Sequence, residues 1–408
     1  MNKRLLIFLG EYNGYINANK RIAITVEREL RKLGYTSFFA CVNYFQNEVI
    51  EVDTDGIRIR VFPANAREAD VIRKYNEYKE SIGIKNCLLK HPLLTVKNQL
   101  IKGNIRKDLV LGVKDMLAEK ECESLLCFYY PFSPSYDLIV SDIKCKKYVY
   151  QLDPWGFHED ISDKVRNRRR KNELEVFEKC DAVFTTPILK RQYLGDDAYS
   201  KYAKKYVSLN FPNIRKHDDL TQNVISFDDD CYNVVFLGIV DDSYRNPDKI
   251  IRFILESYLN IKLYFIGKNN SVTTKKYVDM YPDKVIMHSP VDGYVADSIM
   301  NDKRVILLNI GNTYLNQLPS KVLDYISSGN PVINVVKHSE DCSREVFEKY
   351  DNCFEFLEYR DNDINRFNEF LVKCKGNKIS FDRIESLYRE YTPVYVAEKL
   401  ADRLEKNG

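Results

Sequence analysis

Residues 318 to 335 read Leu-Pro-Ser-Lys-Val-Leu-Asp-Tyr-Ile-Ser-Ser-Gly-Asn-Pro-Val-Ile-Asn-Val. Pro319 suits the first turn of a helix, where its missing N–H would be unbonded anyway, and Gly329 suits the left-handed position just past the end. Pro331 stops any continuation, and Val332, Ile333, Val335 and Val336 then form the apolar run of a strand buried in a parallel sheet. A helix is thus bracketed and feeds an inner strand. The helix start offers free backbone N–H groups and a partial positive charge, which suits a phosphate, and Lys321, beside Ser320 in the first turn, adds a full charge. Asp324, at i+3, shares a face with Lys321. The pair suits a diphosphate and the adjoining ribose hydroxyls of one nucleotide.

The rest of the chain alternates in the same way, which predicts an α/β protein with doubly wound parallel sheets. Strands are expected at Leu5 to Gly10, Ser37 to Val42, Ile57 to Phe62, Leu125 to Tyr130, Lys147 to Leu152 and Ala182 to Thr185. A helix is expected at Arg21 to Leu33, with Ile22, Val26, Leu30 and Leu33 on one side. Residues 66 to 120 are polar and helical in texture. A polar, acidic stretch from His217 to Asp230 lacks apolar periodicity and reads as a linker. The pattern restarts at Val234 to Val240, Lys262 to Ile266, Lys284 to Met287 and Val305 to Asn309. The expected division is a first domain over 1–212, a linker over 213–230, a second domain over 231–380 and a C-terminal helix over 381–408, interrupted at Tyr391-Thr392-Pro393.

At 408 residues the chain is long enough for two such cores. A net charge of +3 spread over many charged groups argues against a dedicated nucleic-acid binder. The ten cysteines form no Cys-x-x-Cys pair and no regular spacing, so neither a zinc site nor a disulfide scaffold is indicated, and buried thiols in a reducing cytoplasm are expected. The apolar part of the N-terminus is too short for a signal peptide or a membrane span and reads as a first strand. The 29 tyrosines suit ligands with ring faces, although a compositional bias toward Tyr, Lys, Asn and Ile explains them as well.

Other side chains gather at strand ends. Asp153, Trp155 and His158 follow the strand ending at Leu152, and they combine two candidate bases with an aromatic surface for a sugar ring. His288 follows the strand Lys284 to Met287, at a strand end facing the cleft. Gly10-Glu11-Tyr12-Asn13-Gly14-Tyr15 and Asn17 follow the first strand, with glycines suited to close backbone approach but without the third Gly of a dinucleotide fingerprint. Asp-x-Asp matches begin at Asp53, Asp228 and Asp361, in a turn, a linker and a surface helix, and no metal site is expected. Arg166 to Lys171 is a dense basic run, which suits a solvated face or peripheral contact with an anionic membrane.

The 318–335 segment resembles the donor-binding signature of GT-B glycosyltransferases, especially the retaining family 4 group, whose members often carry Pro-x-Lys-x-x-Glu-Tyr-x-x-x-Gly-x-Pro-Val-Ile there. Asp324 stands where the family has Glu. A second family Glu, eight residues upstream, touches the transferred sugar, and the matching position is Asn316, an amide that bonds a hydroxyl without a carboxylate's charge. The resemblance implies two Rossmann-like domains facing a cleft, with the second binding the nucleotide sugar and the first the acceptor, and a C-terminal segment that crosses back to the first domain. It also implies a diphosphate-binding cation in the turn after Gly238, where Arg245 is the match and Lys249 the alternative, with His288 close by. Gly14, Asn17 and Trp155 would face donor or acceptor, and Asp153 and His158 would orient the acceptor while the leaving phosphate takes its proton. The expected function is transfer of a hexosyl-type sugar from a UDP- or GDP-sugar to a saccharide or lipid-linked acceptor, with retention and without metal or other cofactor, in cytoplasmic assembly of cell-surface polysaccharide. A degenerate nucleotide-binding partner subunit and a nucleotide-sugar epimerase are the alternatives.

Overall fold

A computed structural model of the chain describes residues 3–12, 18–43, 48–54, 56–63, 107–128, 132–157, 162–216, 225–311 and 317–406. Contacts divide it into two units, Met1–Asn210 with Val394–Gly408, and Phe211–Pro393.

The first unit runs β1 (Arg4–Glu11), α1 (Ala18–Lys32), β2 (Thr36–Asn43), β3 (Ile50–Thr54), β4 (Ile57–Pro63), α2 (Lys107–Glu119), β5 (Ser124–Phe128), α3 (Phe132–Val140), β6 (Lys146–Gln151), α4 (Asp163–Lys179), β7 (Ala182–Thr185), α5 (Pro187–Leu194), α6 (Asp197–Ser200) and β8 (Tyr206–Ser208). Its sheet has the order β3-β4-β2-β1-β5-β6-β7-β8. Every pairing is parallel except β3 with β4, a hairpin with Val52 opposite Ile59. β3 was not anticipated as a strand. It is an edge strand whose Glu51 and Asp53 face solvent, so it lacks the continuous apolar run that marks the inner strands. Two lysines finish helices here by donating to the last carbonyls, which removes unpaired acceptors and complements the negative helix end. Lys147 Nζ reaches Ile139 O at 2.9 Å and Ser141 O at 2.6 Å, and Lys205 Nζ reaches Phe177, Glu178 and Cys180 carbonyls at 2.8 to 3.0 Å.

The second unit runs β9 (Tyr232–Leu237), α7 (Asp248–Leu255), β10 (Ile261–Ile266), α8 (Val272–Met280), β11 (Val285–His288), α9 (Gly293–Asn301), β12 (Val305–Ile310), α10 (Ser320–Ser328), β13 (Val332–Val336), α11 (Cys342–Phe347), β14 (Cys353–Leu357), α12 (Ile364–Cys374) and α13 (Phe381–Leu387). The order β11-β10-β9-β12-β13-β14 is wholly parallel. Strand order therefore reverses between β9 and β12, the place where open α/β sheets leave a crevice beyond the strand ends. The inner strands are apolar on both faces, with Val234, Leu307, Ile333 and Val335 all fully buried. One polar thread crosses this core: Asn309 Nδ2 donates to Asn334 Oδ1 at 2.7 Å, and Asn334 Nδ2 to Ser343 Oγ at 3.0 Å. Buried amides persist in a core only when their donors are met, and here each amide meets a side chain of the next element.

One expectation needs correction. The 213–230 stretch is no free linker, because its described parts pack on the second unit, with Ile214, Ile225 and Phe227 buried. Its apolar residues are too few and irregular to announce this. Within the 381–408 region, α13 belongs to the second unit and α14 (Pro393–Lys406), beyond the break at Tyr391-Thr392-Pro393, to the first. Of the 66–120 region, only α2 and its exit lie within the described residues. No helix among the described residues is long and apolar enough to cross a membrane.

The helix of the opening motif is α10. Pro319 caps it, and Gly329 ends it in the left-handed region with φ 77°. A Cβ at Gly329 would run into Ile379 O, so two penalties add there, left-handed backbone strain and overlap with a rigid carbonyl. Gly329→Ala is expected to lower stability by more than the roughly 1 to 2 kcal/mol of the backbone penalty alone, seen as a lower urea midpoint.

Candidate functional site

At the reversal point of the second unit, β9 ends at Leu237 and Gly238 takes φ 136°. The Lys321 side chain, rising from the first turn of α10, lies where a Cβ of residue 238 would be. Glycine suits that backbone conformation, and a Cβ added there would also displace the ammonium. Lys321 Nζ donates to Leu237 O at 2.5 Å, and the buried Tyr325 hydroxyl accepts from Leu237 N at 3.2 Å. α10 is thereby stitched to the end of β9 through main-chain atoms. Burial pushes Lys321 down to about 8; Arg245 pushes the same way and Asp324 partly offsets it.

Arg245 stands on the turn after β9. Its guanidinium lies over the Tyr244 ring, 5.6 Å from the centroid, and donates to Ile239 O at 3.4 Å. Lys337, just past β13, donates to Tyr244 O at 2.8 Å, and burial and Arg245 both lower its pKa. Arg245 therefore repels both Lys321 and Lys337 beyond the strand ends, and all three donate to carbonyls. Such a group of mutually destabilised cations is relieved by a multivalent anion. The turn itself is fastened on its other side by Asp242, whose carboxylate accepts from Ser271 Oγ at 2.5 Å and from Val272 N and Thr273 N at 2.9 and 3.2 Å, at the start of α8. Asp324, one turn beyond Lys321, accepts from Asn213 Nδ2 at 3.1 Å.

The structure thus brings together Gly238, Arg245, Lys321 and Asp324, with Ser320 half-buried at the start of the same helix. It does not bring in two of the other donor candidates, Lys249 and His288. Lys249 is exposed on α7 and donates to Glu358 O at 2.7 Å, so Arg245 is the cation of this turn that lies beside Lys321. His288 ends β11, separated from the reversal by β10 and β9, and stacks on Tyr264 with centroids 6.2 Å apart. Asn316, Gly14, Asn17 and His158 lie outside the described residues. Lys337 and Asn213 were missed. Lys337 follows the apolar run of β13 as an unremarkable Lys, and Asn213 sits in a stretch read as linker.

In the first unit, Asp153 is half-buried after β6, but Trp155 is only 6% exposed and packs in the core with an edge-on contact to Tyr136. Its ring is not an open stacking face. The loop is instead organised by Glu173 of α4, which is fully buried and accepts from Gln151 Nε2, from Gly156 N at 3.1 Å, and from the Tyr193 and Tyr199 hydroxyls at 3.2 and 2.5 Å. Burial raises the Glu173 pKa and these donors pull it back. Glu173 precedes Val176 and Phe177 by three and four positions, so helical phase had put it on the buried face. The basic run on α4 is partly committed to the same structure: Arg170 pairs with Asp196 at 2.6 Å and lies over Phe157 and Tyr199, and Arg166 pairs with Asp163 at 3.0 Å. Arg168 and Lys171 remain exposed. Glu173→Ala would strand several buried donors at about 1 to 3 kcal/mol each, so a loss well above that of an ordinary surface mutation is expected in the unfolding midpoint of the first unit.

No protein-family model matches the sequence, and no curated protein matches it. Solved structures do. The chain is similar to the lipopolysaccharide outer core galactosyltransferase WaaB, at TM-score 0.57 and 11% identity over 99% of this chain and 100% of that one. It is similar to sucrose-phosphate synthase from Thermosynechococcus elongatus, at TM-score 0.62 and 12% identity over 99% and 98%. It is also similar to Anabaena HepE, solved in complex with UDP, at TM-score 0.58 and 9% identity over 98% and 99%. At such identities the likeness establishes the fold.

Proposed function

We propose that this chain, which has the GT-B fold, transfers a sugar from a nucleotide diphosphate sugar to a saccharide or lipid-linked acceptor. The observation that carries the reading is the meeting of Lys321, Arg245 and Lys337 at the reversal point of the second sheet, each donating to a main-chain carbonyl. A diphosphate entering there meets the N-terminus of α10 and these cations at once. Arg245 suits a paired grip on phosphate oxygens, and Lys321 supplies a point charge beside it. Asp324 accepts from ribose hydroxyls. When the sugar–phosphate bond breaks, negative charge grows on the leaving diphosphate, and a fixed cationic group lowers the energy of that state more than that of the bound donor. Retention of configuration, a hexosyl donor and a role in cell-surface polysaccharide on the cytoplasmic side follow from resemblance to the family 4 group, and HepE, also solved with UDP-glucose, makes UDP-sugars the first donors to try. The diphosphate would be held by protein cations alone, without a metal.

Thermal melting with UDP, GDP, ADP and CMP and their sugars tests the site. At a concentration about a hundredfold above its dissociation constant, the right nucleotide adds roughly 2.7 kcal/mol and raises the melting point by several degrees. The shift is expected to be selective and to vanish in Lys321→Ala and to shrink in Asp324→Ala; no shift with any of them would remove the donor-site reading. Shift without sugar transfer would favour the partner-subunit alternative.

The lowered Lys321 pKa gives the binding a pH dependence. Without ligand the amine is neutral above about 8; a diphosphate beside it raises its pKa again, so binding takes up a proton above that point. Affinity is therefore expected to fall as pH rises through 8 and beyond, with proton uptake measurable by titration calorimetry in buffers of different ionisation enthalpy. Lys321→Met should flatten this segment of the profile.

A further inference from the structure

The segment 211–216 has no regular secondary structure, yet it is fixed along α10 at two points one turn apart. Asn213 Nδ2 donates to Asp324 Oδ1 at 3.1 Å. Two residues on, Arg215 is gripped through its main chain by the Ser327 hydroxyl, which accepts from Arg215 N at 3.0 Å and donates to Arg215 O at 2.5 Å. Between them Ile214 is buried, and its N–H donates to Tyr391 O at 3.0 Å. Arg215 Nη2 lies 3.8 Å from Asp297 on α9. Asn213 is thus carried by a strap anchored on both α10 and the segment after α13, and its amide arrives at Asp324 from a rigid support. A short carboxylate on a helix has several rotamers, and a bond from a fixed donor selects one of them.

We propose that Asn213 is a positioning residue for nucleotide recognition, holding the Asp324 carboxylate in the rotamer that accepts from the ribose hydroxyls. The inference rests on the reading of Asp324 as the ribose contact. Charge-assisted hydrogen bonds depend on geometry, so releasing the carboxylate weakens the ribose contact while leaving the phosphate cations in place. Loss of Asn213 therefore acts on discrimination between ribose and deoxyribose, an effect that general loosening of the strap would not single out.

The test compares binding of UDP and 2′,3′-dideoxy-UDP by the full chain. Wild type is expected to prefer UDP by roughly tenfold or more, the difference made by hydrogen bonds to a charged group. In Asn213→Ala that preference should fall to about twofold, chiefly through weaker UDP binding, with dideoxy-UDP affinity little changed. Asn213→Asp keeps the side-chain shape but turns a donor into a like-charged acceptor, and it should lose the preference at least as far; it serves if the alanine variant melts early. A full wild-type preference in the folded variants, or equal weakening of both ligands, would overturn the positioning role. No preference in wild type would overturn the ribose role of Asp324 and the proposal with it.

Discussion

The contact between the Lys321 ammonium and the Leu237 carbonyl organises the second unit's functional end. It lies against Gly238, whose backbone conformation favours glycine and where an added Cβ would displace the amine. It draws the start of α10 onto the end of β9, which aims free helix N–H groups at the point where strand order reverses. It also places a buried cation beside Arg245, so that the site is electrostatically uncomfortable without an anion. One short interaction thus links helix placement and charge. Replacing Lys321 would disturb both.

The first unit shows the opposite use of a buried charge. Glu173 is surrounded by donors rather than by like charges, and the stacked pair of Tyr193 and Tyr199, 5.1 Å between centroids, closes around it. Its role is to fix the loop after β6 against α4 and the helices that follow. Trp155 belongs to that framework, which is why an aromatic side chain in a polar loop turned out to be part of the core.

Much of this was legible beforehand because punctuation and apolar runs are local. Pro319, Gly329 and Pro331 marked α10 and its strand within a few residues, and the inner strands announced themselves through unbroken Val, Ile, Leu and Phe. Lys321 and Asp324 could be paired because helical spacing alone puts them on one face. What escaped was long-range. Asn213 lies 111 positions from Asp324, and Lys337 reaches Tyr244 across 93; no periodicity connects such residues. β3 escaped because an edge strand needs only one apolar face. Trp155 was misread because composition cannot tell an aromatic ring that meets solvent from one that meets Tyr136.

The turn carrying Arg245 is held from both sides, by Asp242 at the start of α8 and by Lys337 at the end of β13. A loop so fastened does not have to be gathered when a ligand arrives. Encounter is then governed by diffusion and by the attraction of unlike charges, and the lifetime of the complex is decided by how readily the anion departs. Under the proposed transfer reaction, which sheds a spent nucleotide in every cycle, a rigid cradle would make departure the step most open to adjustment.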